Sequence, residues 1–582
     1  MALARQHLDE CIQRHEQCCK SSTSSPCLPT RLVDCADLAR PRLVSTIGER
    51  GEYLALSYVW GGDQVHKTTI ANLSTYEQGI SLHDLPLTIR DAIYVTHMLG
   101  FRWLWVDSLC IVQDSETDKA NEIGRMHHIY RYAHLTIMAG SAKSVHEGFL
   151  QERPPPDIVL DDGVALPFIC PPCPTTLVDR EDCSAALPRV GTVFVAPIYS
   201  SITGREYSYE LGRMATRAWC TQEYLMSPRA LIFTPTTLLF RCLSTVQGVG
   251  SSFYQIRDDT RIPNSFFLPP VAPAEELDAK ERRDVHTTWM KVVEDYTRRT
   301  ASDESDKLVA CAAIAEQFHG ILGSEYLAGL WRSDALLVHL LWRTGDKFEA
   351  KSRGCPHTRP TAYRSPSWSW AAIEGSIDHV FPKVLSLGDP QTVALAEIAE
   401  CRVTLEDPAL RFGRVMDGVL VLRGTLIFCR GGLHKITDNL LSVPLPSFEQ
   451  VRCQLQRGSG GSISDEEGDV YSTKPGDRAT ANVYMDCEFD EPPERMWLVP
   501  FVRTQPKHRE EHVLHGIALE LAPPSNGSGA SPQECRFRRI GYLCNSVQVA
   551  RPGKDFPKHS LWHPLLQAVK GGERLWTDIV II

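Results

Sequence analysis

The 582-residue chain is 43% hydrophobic and 23% charged, ordinary for a soluble globular protein and too long for one core, so about three or four domains are expected. Its net charge of −10 includes no basic excess that would point to nucleic acid or an anionic membrane. No apolar run approaches the ~20 residues of a membrane span, and nineteen cysteines, scattered behind an N-terminus without a charged leader and apolar core, argue for reduced thiols in the cytoplasm.

Residues 1–50 read as a lead-in whose short helix places Cys11, His15 and Cys18 near one face. These are soft ligands at a spacing that suits zinc, but Cys19, Cys27 and Cys35 supply no evident fourth. A packed helix without metal is therefore expected.

From Tyr53 the texture changes. Tyr53-Leu-Ala-Leu-Ser-Tyr-Val-Trp60 is an apolar run that stops at Gly61-Gly62-Asp63, the pattern of a buried strand entering a glycine turn. A helix follows from about Thr88 to Leu99, with Ile89, Ala92, Ile93 and Thr96 at helical spacing and Gly100 as a left-handed cap. Trp103 to Val106 is a second strand running into Asp107-Ser-Leu-Cys-Ile-Val-Gln-Asp114. A helix carrying Ile123, Met126, Ile129, Tyr130 and Ala133 then leads to a third strand, Leu135 to Ala139. This alternation predicts an α/β fold with a parallel sheet. The loops Gly61–Asp63, Asp107–Asp114 and Gly140–Ser141 are expected to line one crevice at the carboxyl ends of the strands, where ligands bind in such sheets.

Residues 148–212 form a proline-rich insertion with Pro154-Pro-Pro156, Cys170-Pro-Pro-Cys173 and Cys183, and with strand candidates Val164–Ile169 and Val193–Ile198. The Cys-x-x-Cys lacks the following helix that a redox pair uses, so its thiols are expected to be idle. Between Arg213 and Cys242 a helix through Trp219 and Leu225 and strands Ala230–Phe233 and Leu238–Arg241 are expected to complete the sheet. The domain therefore runs over 51–245, and 246–284 reads as a linker, with Pro263, Pro269-Pro270 and Pro273. Residues 285–392 form a helical region: Trp289 to Tyr296, Lys307 to His319 and Leu327 to Trp342, then the motif Ser365-Pro-Ser-Trp-Ser-Trp-Ala-Ala-Ile-Glu-Gly375, whose tryptophans are read as packing residues. Residues 393–582 are β-rich, with Val393–Ile398, Val419–Ile427, Arg495–Val502, Val513–Leu521, Phe537–Leu543 and Trp576–Ile582 as strands, and mobile loops are expected over 459–478 and 523–533.

No Gly-x-x-x-x-Gly-Lys, His-Glu-x-x-His or Gly-x-Ser-x-Gly occurs, so P-loop, zinc-protease and hydrolase-elbow chemistry lack support. What remains is a family resemblance. Ala55-Leu-Ser-Tyr-Val-Trp-Gly61, Leu85-Pro-Leu-Thr-Ile-Arg-Asp-Ala92, Trp103 to Gln113 and Met126-His-His-Ile-Tyr-Arg-Tyr-Ala133 resemble, in order, the signature blocks of the fungal heterokaryon-incompatibility (HET) domain. Arg217 to Phe233 is similar to its closing motif, with Cys220 where a threonine is more usual. The resemblance implies a role in nonself recognition and regulated cell death, with a second copy or another incompatibility protein as partner.

A weaker resemblance lies within the same segment. Leu54-Ala-Leu-Ser-Tyr-Val-Trp-Gly-Gly-Asp63 is similar to the opening strand and loop of Toll/interleukin-receptor (TIR) domains, and Trp219-Cys-Thr-Gln-Glu223 to the Trp-Cys-x-x-Glu stretch of plant-type members, some of which cleave NAD. It implies a TIR/flavodoxin-like parallel sheet and NAD as substrate, with no resident cofactor. Glu223 is then the catalytic carboxylate, and Ser57, Trp60, Gly61, Gly62, Asp107, Asp114 and Trp219 contact the ligand. One carboxylate beside the ribose is enough, because the cationic nicotinamide is already a good leaving group. Structural alternatives stand beside each role: Glu223 as a surface or capping carboxylate paired to Arg217 or Arg229, Asp107 as a helix cap, Trp60 as a packing residue, Cys110 as a buried thiol. The functional alternative is a non-enzymatic signalling or self-association module.

Overall fold

Four apolar runs with no polar alternation build the heart of the first sheet. The computed structural model describes residues 1–20, 26–152, 164–169, 190–195, 205–206, 211–235, 237–249, 256–257, 261–267, 277–301, 303–345, 357–379, 392–430, 433–437, 439–446, 451, 480–488, 491, 493–504, 511–523, 535–548 and 576–582. The chain divides into two units. The first holds Met1–Lys119, Tyr132–Met214 and Ser227–Asp259, and the second holds Ala120–Arg131, Ala215–Met226 and Thr260–Ile582.

In chain order the first part of the molecule runs through α1 (Ala2–Arg14), α2 (Glu16–Lys20), β1 (Arg31–Asp34), β2 (Arg42–Ser45), β3 (Leu54–Ser57), α3 (Leu73–Gln78), α4 (Leu87–Met98), β4 (Trp103–Trp105), α5 (Asp107–Cys110), α6 (Glu116–Tyr132) and β5 (Leu135–Met138). It continues with β6 (Val164–Ile169), β7 (Val190–Val195), β8 (Arg205–Glu206), α7 (Trp219–Met226), β9 (Arg229–Phe233), β10 (Leu238–Cys242), β11 (Val246–Gly248) and β12 (Ile256–Arg257). Eight of these strands form one sheet in the order β11-β10-β9-β5-β3-β4-β1-β2. Its centre, β9-β5-β3-β4, is parallel, with Leu54 opposite both Leu104 and Leu135 and Thr136 opposite Ala230. Numbered along the chain, the parallel strands stand 2-1-3-4. Every residue of β3, β5 and β9 is buried, which is why these runs are continuous rather than alternating.

Both flanks are antiparallel, so the sheet is mixed where a parallel one was expected. The β1–β2 pair comes from residues read as a lead-in; its four-residue strands are too short to announce themselves by period. α4 ends as its sequence requires: Gly100 has φ 79, its N–H reaches His97 O at 2.9 Å, and Phe101 N–H reaches Thr96 O at 3.1 Å. In the insertion β6 and β7 form an antiparallel hairpin, with Val164 opposite Val195. The second strand starts three residues earlier than the sequence suggested. Pro154–Pro156, Cys170, Cys173 and Cys183 lie outside the described residues, as do Pro269, Pro270, Pro273 and most of the two expected C-terminal loops.

The second unit joins helices to an eleven-stranded sheet. α8 (Ala279–Thr297) begins inside the stretch read as a linker, because Asp278 and Glu281 form a reciprocal capping box. α9 (Val309–Leu322) packs on both α8 and α7. The expected helix over 327–342 is replaced by a tight hairpin pairing Tyr326–Leu327 with Leu330–Trp331, a short helix Leu336–His339 and a strand Trp342–Thr344. The cause is the turn: Ala328 (φ 47) and Gly329 (φ 99) are both left-handed, a conformation no helix tolerates. A Cβ on Gly329 would lie 2.5 Å from Trp370 Nε1.

The tryptophan motif lies in this core. Trp368 and Trp370 are fully buried, Trp370 and Trp289 both donate to Gly329 O at 2.9 and 3.0 Å, and Trp342 donates to Trp368 O at 3.0 Å. The β-rich region is antiparallel apart from Arg536–Gln548 beside Thr577–Ile581, and Ile427, Leu441, Val443, Val483, Leu498, Leu514 and Leu543 form its fully buried core. Among the described residues no helix is long and apolar enough to cross a membrane.

Candidate functional site

Parallel pairing puts the carboxyl ends of β3, β4 and β5 at one edge of the first unit. Trp60 is half-buried beyond β3, and its Nε1 donates to Asp107 Oδ2 at 2.7 Å across the gap to β4. Asp107 is the first residue of α5, where the helix dipole favours a carboxylate, and its Oδ1 takes Ser108 N–H at 2.6 Å. Behind it, Tyr58 donates to Ser108 Oγ at 3.0 Å and receives Gln64 Nε2 at 3.2 Å. Burial pushes the Tyr58 phenol well above its ordinary range, and the Asp107 charge adds to that shift. It stays neutral.

The glycine turn closes against the loop after β5. Gly61 has φ 77, and a Cβ there would lie 2.4 Å from Ser144 Cβ, so glycine is needed both for conformation and for space. Val145 N–H reaches Trp60 O at 3.3 Å. Asp114 Oδ1 receives Ile70 N–H at 2.8 Å, which fixes the far end of the same loop. Gly62 stands exposed with nothing near its α-carbon substituent position.

The first unit thus brings together Trp60, Gly61, Gly62, Asp107 and Asp114 through adjoining loops. Ser57 belongs to the strand itself and is fully buried. Trp219 and Glu223 lie on α7, in the second unit. There Trp219 is half-buried, while all residues from Cys220 to Met226 are buried, Glu223 at 7% exposure. Glu223 is therefore not the surface carboxylate that the structural alternative supposed. Burial raises the Cys220 thiol well above its ordinary value, with Glu223 as the next cause. Arg229, one of the partners considered for Glu223, donates to Cys18 O at 3.0 Å and His134 O at 3.3 Å. Cys110 is fully buried, its sulfur 3.4 Å from Val106 N.

Of two further polar atoms at the strand ends, Ser141 Oγ was expected at the crevice and Gln64 Oε1 was not. Among the described residues, Gln64 Oε1 and Ser141 Oγ are buried without a hydrogen-bond partner, in a setting where such groups ordinarily find one. Gln64 sits in a loop beyond the strand, where only the tertiary fold reveals its burial. Ser141 directly follows Gly140, and its place at the crevice was legible.

Residues 53–162 match the model of the heterokaryon incompatibility (HET) family. The chain thus contains a segment similar to the HET domain. The match covers β3, β4 and β5 together with their carboxyl-end loops. A curated relative, heterokaryon incompatibility protein 6, OR allele, of Neurospora crassa, is 30% identical over 95 residues, which are 15% of this chain and 14% of that protein. The closing motif on α7 and β9 lies beyond the matched residues. No solved structure matches the chain significantly.

Proposed function

We propose that this protein is a cytoplasmic effector of fungal nonself recognition, of the heterokaryon-incompatibility kind, that triggers regulated cell death. The observation that carries the reading is the coincidence of the family match with the strands and loops that build the crevice edge. The finer, chemical form of the proposal is NAD glycohydrolysis on a TIR/flavodoxin-like sheet. The 2-1-3-4 order of the parallel strands agrees with the order of that doubly wound class, and the unpartnered Gln64 Oε1 and Ser141 Oγ favour a polar ligand at the strand ends. Trp60 offers a ring for a base and Gly61-Gly62 offer backbone for close approach to phosphate. Glu223 is the proposed carboxylate, and an oxocarbenium-like ribose needs no more from the protein than that charge.

A second reading, non-enzymatic signalling by self-association or through another incompatibility protein, is favoured by the near-complete burial of Glu223 and by the engagement of both Asp107 oxygens. Val65 and Ile70, 87% and 67% exposed on the loop that begins at Gly61, suit an interaction surface. Incubating the purified protein with NAD separates the two. Release of nicotinamide and ADP-ribose supports the first; unchanged NAD, with toxicity lost in a Val65→Asp, Ile70→Asp variant, supports the second.

A further inference from the structure

α1 ends at Arg14, and His15 leaves the helix in an extended conformation (φ −90, ψ 100) before α2 starts. His15 N–H still reaches Cys11 O at 3.2 Å, and Cys18 N–H reaches His15 O at 2.9 Å. This break turns Cys11, His15 and Cys18 toward one point. The last residue of β10, Cys242, meets them there, with its Sγ 3.3 Å from His15 Nδ1. The ligand atoms of Cys11, His15, Cys18 and Cys242 all lie within 4.8 Å of one another. A tetrahedral zinc with Zn–S bonds of about 2.3 Å holds its sulfurs about 3.8 Å apart, so the cluster already has the dimensions of a coordination shell.

We propose that Cys11, His15, Cys18 and Cys242 bind one zinc ion in a closed, structural Cys3His site that fastens the N-terminal helices to β10. Four protein ligands leave no open position for substrate or water, which separates a structural site from a catalytic one. The three cysteines are at most 1% exposed, as a thiolate-bound metal requires for protection from solvent and oxidants. Three thiolates around a dication leave one negative charge, and the Arg229 guanidinium, whose Nη2 holds Cys18 O at 3.0 Å, supplies a cation beside it. Binding displaces the thiol protons to solvent. No bond is oxidised.

The sequence alone could not complete this set, because Cys242 stands 227 positions from His15. The site makes residues 1–20 part of the folded domain.

The test uses the full chain without a polyhistidine tag, expressed with zinc in the medium. Elemental analysis is expected to find one zinc per chain, and cobalt in its place to give the ligand-field bands of a tetrahedral thiolate complex. Cys242→Ser should lose most of the metal, whereas His15→Cys, which keeps four soft ligands, and Cys27→Ser, an exposed cysteine outside the cluster, should retain it. If Cys242→Ser is insoluble, the cobalt spectrum of the unaltered protein decides: thiolate charge-transfer absorption supports the site and its absence overturns it. Soluble wild-type protein without zinc, or full zinc in Cys242→Ser, also overturns it.

Discussion

Two buried polar clusters, one in each unit, satisfy their groups in different ways. In the second unit Arg539, fully buried, is closed on every side: its guanidinium meets Asp486 at 3.2 Å, donates to Leu340 O and Trp342 O at 2.6 and 2.5 Å, and lies 3.4 Å above the Trp342 ring. In the first unit polar groups gather at the strand ends, with Tyr58, Gln64 and Ser108 buried, and among the described residues Gln64 Oε1 and Ser141 Oγ are unanswered. A closed network sets architecture, since every group it desolvates is repaid by a neighbour. An open one leaves capacity for a ligand, and it falls in the stretch that the HET family model matches.

The sharpest way to break the first half of that comparison is Asp486→Ala. It leaves Arg539 buried without its counter-charge and should destabilise the protein by about 3–5 kcal/mol, read as a lower denaturation midpoint in urea. A loss below about 1 kcal/mol would mean that the network is no framework.

A smaller effect is expected at the open end. Gly61→Ala places a Cβ against Ser144 at a positive φ and should cost about 1–3 kcal/mol. Adding Ser144→Gly should return part of that loss, because it removes the clash and leaves the backbone strain. Equal stability of the single and double variants would show that the turn and the loop after β5 do not touch as described.

The smallest effect is a pH dependence. Burial lowers His286 to about 4 and His515 to about 3, and holds His339 well below its ordinary value; all three belong to the second unit. A histidine with a depressed folded pKa takes its proton more readily when unfolded. Its contribution is therefore intact above the unfolded pKa of about 6.5 and is lost as pH falls toward the folded value. Melting temperature should drop between pH 6.5 and about 4, and His286→Gln should flatten that dependence. An unchanged slope would remove His286 from the account.

How much of this was legible depends on how local the signal is. The run Tyr53 to Trp60, the α4 face and the Gly100 cap announce themselves within a dozen residues, because burial on both faces and helix termination are written in neighbouring side chains. That the centre is parallel followed from the alternation of elements, but its strand order did not. The antiparallel flanks did not, nor did the hairpin over 326–331, where leucine and tryptophan spacing imitates a helix and the Ala328–Gly329 turn overrides it. The crevice residues Trp60, Gly61 and Asp107 were found by motif. Gln64 was missed because only the fold buries it, Cys242 because His15 stands 227 positions away, and Glu223 was placed in a helix as expected but is buried.

The most direct test of the proposed function compares wild-type protein and Glu223→Gln for nicotinamide release from NAD, with thermal melting as a control, since altering a buried carboxylate is expected to cost about 1–3 kcal/mol in its own right. The account predicts cleavage by the wild type and none above background by a variant that remains folded at the assay temperature. Cleavage undiminished in Glu223→Gln, or no cleavage by the wild type while it kills the cells that express it, would contradict it.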